Sequence, residues 1–96
     1  MERQLLSKEI IDLLEFRIQQ EEISVRIYKQ MALWLQNKGY SNLAALFNKY
    51  SSEENNHADW ACDFLLSYGI TPELKPLTSP VIEISSCMEV LEAALS

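Results

Sequence analysis

Three ionisable residues, Glu21, Glu54 and His57, interrupt apolar ladders that otherwise run the length of two long helical segments. Charges on a buried stripe are costly unless they are paired or bound to a metal. Glu54-x-x-His57 sets a carboxylate and an imidazole on successive turns of one helix face, a spacing at which both can reach a single ion. Oxygen-rich donors with an imidazole and open positions suit iron or manganese, and the oxygen chemistry of those metals, better than a closed structural zinc site. A lone Glu-x-x-His is common on helices by chance. A third carboxylate at the same height on a partner helix makes the pattern far more specific. The plainer reading is a solvated Glu54 and His57 pair and a Glu21 at a helix edge. It sits poorly with Leu14, Ile18, Val25 and Tyr28 on one ladder and Tyr50 and Ala61 on the other.

Two helices must position these residues. No Gly or Pro occurs between residues 5 and 37, and the spacing predicts a first helix over 5–37. One apolar ladder runs Ile10, Leu14, Ile18, Glu21, Val25, Tyr28, Ala32, Leu35, and an adjacent one Leu13, Phe16, Gln20, Ile23, Ile27, Met31, Trp34. Glu15, Gln19, Glu22, Arg26 and Lys29 form the opposite, wet stripe. Asn37-Lys38-Gly39 closes the helix, and Ser41 or Asn42 is placed to cap the next. That second helix, 42–68, carries Leu43, Phe47, Tyr50, Glu54, His57, Ala61, Phe64 and Tyr68 before Gly69 stops it. So short a connection makes the pair an antiparallel hairpin. At about 1.5 Å per residue from Gly39, Glu21 lies ~27 Å down one helix, and Glu54 and His57 lie ~22 and ~27 Å down the other. All three arrive at one level.

Beyond Gly69, the prolines at 72, 76 and 80 mark residues 70–85 as a linker, and the capping-box pattern Ser86-x-x-Glu89 predicts a short helix over 87–95. The expected fold is all-α, one helical domain over residues 1–96: an antiparallel hairpin plus a short C-terminal helix. The apolar face of the first helix is too wide for one partner helix to cover, so oligomerisation is expected to complete a four-helix bundle.

The chain has 96 residues, 48% of them hydrophobic and 23% charged, which is the balance of a single small globular domain. Its net charge of −6 opposes nucleic-acid binding and favours cations. Glu2, Arg3, Lys8, Glu9 and Asp12 interrupt every apolar run near the amino terminus, so no signal peptide or membrane span is expected and the reading is cytoplasmic. Cys62 and Cys87 lack CxxC spacing and read as reduced packing thiols. Trp34 and Trp60 read as interface or core aromatics.

Glu21 to Trp34 (EEISVRIYKQMALW), Asn37-Lys38-Gly39 and Leu43 to His57 (LAALFNKYSSEENNH) together resemble the first half of a non-haem ferritin. The resemblance covers about residues 12–77, and Leu91 to Leu95 is more loosely similar to the start of the family's third long helix. It implies a di-iron centre in which Glu21 and His57 are terminal ligands, Glu54 bridges and Tyr28 lies beside the metals. Glu53 matches a carboxylate that serves an accessory iron site in some bacterial members. The implied activity is Fe(II) oxidation by oxygen (ferroxidase) with iron storage or detoxification, manganese or zinc being substitute metals.

Ferritin-like sites take a Glu from each of two helices and a Glu-x-x-His from each of two others. One copy of this chain supplies half of that set, so the resemblance implies a site shared within a homodimer or an assembly of dimers, the plan of the short encapsulated ferritins. Two other readings stay open: a non-catalytic helical oligomerisation protein, and a fragment of a longer ferritin.

Overall fold

A computed structural model of the chain describes residues 6–77 and 81–95, with side chains for all of these except 81–84. Leu5, the expected start of the first helix, lies outside the described residues. The described chain is all-helical: α1 (Lys8–Asn37), α2 (Ser41–Ser67) and α3 (Val81–Leu95). The whole is rod-like, 60 × 24 × 17 Å.

Ser7 starts α1, its hydroxyl accepting the Ile10 N–H at 3.3 Å. Both long helices end in the same way. Gly39 and Gly69 take positive φ (89° and 74°), and the next residue's N–H reaches back over the last turn, Tyr40 to the Leu35 carbonyl at 2.9 Å and Ile70 to that of Leu65 at 3.0 Å. The left-handed residue is what lets the chain reverse there, and glycine adopts it without steric cost. This closure brings the second helix in one residue earlier than expected. Ser41 is already helical, and Tyr40 stands at the cap with no side-chain bond, so neither Ser41 nor Asn42 caps the helix.

Along α1 the first ladder largely turns inward, with Ile18, Ala32 and Leu35 buried. The second ladder divides. Met31 is buried, but Leu13 and Phe16 are more than half exposed. On α2 the stripe facing α1 is rotated from the expected ladder: Ala44, Ser51, Ala58 and Leu65 are buried at seven-residue spacing, with Ala61 beside them. Small residues allow the two backbones to approach, and a search for large apolar side chains overlooks them. Ser51 adds a bond from its hydroxyl to the Val25 carbonyl at 2.9 Å. Ile18, Ala58, Ala61 and Leu65 form the core at the open end of the hairpin, with Leu14, Cys62 and Ile70 packed against it. Of the expected ladder on α2, Ala61 is buried in this core, while Glu54 is half-buried and Tyr50 and His57 are exposed on the flank of the contact.

α3 begins at Val81, ahead of the 87–95 expectation, and Ser86 and Glu89 fall inside it rather than at its start. The β-branched residues near its beginning disfavour helix by only tenths of a kcal/mol each, roughly, and α3 lies against α1.

Candidate metal centre

Glu21 lies near the middle of α1 with 4% of its surface exposed. Its Oε1 accepts the Arg17 Nε–H at 2.6 Å, an i,i+4 pair along the helix. Its Oε2 is buried and accepts no hydrogen bond. His57 Nδ1 lies 3.6 Å from that oxygen, beyond hydrogen-bond reach, and the same nitrogen lies 3.8 Å from Glu54 Oε2. One ligand atom from each of Glu21, Glu54 and His57 falls within 4.8 Å of the other two. The structure therefore brings together the three residues that the ladders single out. A bare buried carboxylate oxygen facing a second carboxylate and an imidazole is a donor set that fits a divalent cation.

The centre opens on one side. Glu21 and His57 line a cleft of about 570 Å³ whose other walls are mostly apolar, with Leu13, Phe16 and Trp60 among them. Trp60 stacks on Phe64 at 5.7 Å and is 66% exposed, so it is a surface aromatic and not a core one. This is the uncovered part of the wide apolar face.

Tyr28 is held in a cluster with Phe47 and Tyr50, ring centroids 5.6–6.0 Å apart. Tyr50 stands one helical turn before Glu54, which puts the cluster a turn away from the candidate ligands. Glu53 is exposed and, among the described residues, joins no ligand group. Cys62 and Cys87 are both free thiols. Burial pushes the Cys62 thiol above the ordinary range, and the negative charges of Asp59, Glu22 and Asp63 add to the effect.

Glu15 departs from expectation. Assigned to the wet stripe, it is only 8% exposed, because residues 70–77 fold back over it. Its Oε2 accepts the Glu73 backbone N–H at 2.7 Å, Lys75 Nζ stands 3.7 Å from its Oε1, and one turn away Gln19 donates to the Pro76 carbonyl at 2.9 Å. A hydrogen bond to Glu73, with the fields of Glu73 and Glu15, raises the Lys75 ammonium pKa above its usual value.

A family model of the ferritin-like domain matches residues 11–96. The chain belongs to the ferritin-like family. It is 25% identical to a bacterial non-heme ferritin of Staphylococcus aureus (strain USA300) over 92 residues, an alignment covering 96% of this chain and 55% of that protein. A Staphylococcus epidermidis non-heme ferritin is 26% identical over the same shares. Among solved structures the chain is similar to Chlorobium tepidum ferritin, with a TM-score of 0.78 and 32% identity, covering 94% of this chain and 55% of that one. It thus spans about half the length of the relatives it matches. None of the described helices is long and apolar enough to cross a membrane.

Within the site, sequence reasoning overlooked Arg17. Its signal was available, since a cation four residues before a carboxylate is a standard helical pair. Arg17 falls on neither apolar ladder, and its significance comes from the burial of Glu21, which spacing alone does not give.

Proposed function

We propose that this chain binds Fe(II) through Glu21, Glu54 and His57 and promotes its oxidation by dioxygen, as the iron-handling half of a ferritin-type bundle used in iron storage or detoxification. The observation that carries this reading is the buried, unpartnered Oε2 of Glu21 facing Glu54 and His57. Desolvation penalises such an oxygen until a cation compensates it. Iron is the substrate and passes its electron to oxygen, while the protein supplies negative charge and fixed geometry. In this reading Glu54 would be shared between two ions, Glu21 and His57 would hold one each, and Tyr28 would lie near the pair. Manganese and zinc compete for the same donors.

A second copy of the chain supplies the missing ligands in this reading. Two chains related by a two-fold axis offer two each of Glu21, Glu54 and His57, which is the ferritin-like complement. The exposed Leu13, Phe16 and Trp60 beside the site support burial of this face by another helix pair. The 55% coverage of the relatives favours a second reading, in which those helices belong to a longer chain.

Aerobic Fe(II) oxidation, followed by ferric absorbance, tests the assignment. Glu54→Ala should abolish the protein-dependent rate, while Glu53→Ala, on the outer surface, should leave it nearly unchanged. Equal rates in the two variants would show that the wrong face has been chosen. Light scattering should find a dimer or an assembly of dimers. A folded 11.1 kDa monomer at micromolar concentration would favour the second reading.

A further inference from the structure

Resting on the reading of Glu21, Glu54 and His57 as a cation site, we infer that Arg17 is a positioning residue that makes Glu21 a one-oxygen ligand. The two oxygens of this carboxylate have separate fates. Oε1 is held by Arg17 Nε at 2.6 Å, and Oε2, turned toward His57 Nδ1, is bare. A cation among Glu21, Glu54 and His57 takes the bare oxygen without displacing the guanidinium.

The arrangement does two things. It gives the buried carboxylate a counter-charge while the cation is away, which keeps it aimed. It also removes Oε1 from the available donors, so Glu21 cannot close bidentately on the ion. A carboxylate restrained to one oxygen favours ions content with few ligands over those that collect many, as Ca(II) does. Arg17 is itself 69% exposed and lines the open cleft beside Glu21, so in the single chain its replacement leaves no buried cavity. Arginine's fixed donor geometry suits the task better than a mobile ammonium does.

Co(II) titration of the full chain tests the inference, because bound Co(II) reports both affinity and coordination number through its visible absorption. In Arg17→Gln, with helical content by circular dichroism unchanged, Co(II) affinity should fall about tenfold, in the range seen when a ligand loses its orienting partner. Absorbance per bound Co(II) should also fall, as Glu21 swings to donate both oxygens and the coordination number rises. Arg17→Gln binding Co(II) as tightly as the parent or more tightly, or with the same absorbance, would overturn the role. His57→Gln separates this from the site itself. If it too binds Co(II) like the parent, the metal site lies elsewhere, whereas its loss of Co(II) beside an unaltered Arg17→Gln discards only the function given to Arg17.

Discussion

Glu15 and Glu21 are both carboxylates on α1, fewer than two turns apart and almost equally buried, yet the protein treats them in opposite ways. Glu15 is satisfied from within the chain. The strand of linker after Gly69 places a backbone N–H on one oxygen and a lysine ammonium near the other. Glu21 is satisfied on one side only, by Arg17, and its second oxygen is left without a donor beside a histidine and another glutamate. Burial alone therefore does not mark a functional acid. The distinguishing feature is the incomplete set of partners: Glu15 fastens residues 70–77 to the hairpin, whereas Glu21 holds an unused lone pair on a buried oxygen.

The largest effect that could break this contrast concerns metal affinity. Glu21→Gln should weaken Fe(II) or Co(II) binding more than about 100-fold, exceeding the loss typical of an outer-shell partner, while Glu15→Gln, which retains an acceptor for the Glu73 N–H, should stay close to the parent. Calorimetric titration of both variants checks this, and comparable losses would erase the distinction between them.

Stability should sort the pair the other way. Glu15→Ala leaves the Glu73 N–H without its acceptor and should cost about 1–3 kcal/mol, seen as an earlier thermal transition and faster proteolysis within 70–77. Glu21→Gln in metal-free protein should cost far less or raise stability, because it removes a charge whose desolvation is only half compensated. A metal-free Glu21→Gln protein less stable than Glu15→Ala would mean that Glu21 is the structural acid.

The smallest expected effect is at Cys62, which packs against the core at the same end of the hairpin. Its raised pKa leaves less thiolate at a given pH, so alkylation at pH 8 should be several-fold slower in the native chain than in urea, the gap narrowing as pH rises through the thiol range. Equal rates would mean that burial and the charges of Asp59, Glu22 and Asp63 leave the thiol unaffected.

Much of this was legible in the residues. The absence of Gly and Pro, the two glycine stops and the 3.6-residue period determine an all-helical hairpin, and equal counting from Gly39 brings Glu21, Glu54 and His57 to one level before any side chain is placed. Motif residues quoted along both helices also carry the ferritin resemblance that the family match bears out. These are local properties of a regular helix, so spacing alone suffices. What spacing cannot supply is rotation about the helix axis and contact with distant segments. The buried seam of α2 runs through Ala44, Ser51 and Ala58, side chains too small to announce themselves by hydrophobicity, and this rotation leaves His57 exposed on the flank. α3 starts at Val81, six residues ahead of the spacing-based expectation, and lies against α1, a contact with no local signature. Glu15 joins the interior because a segment nearly sixty residues later folds across it, a long-range contact with no local signature. Whether a carboxylate ends with all its lone pairs occupied or with one to spare depends on which groups arrive from elsewhere in the chain, and only the tertiary structure decides that.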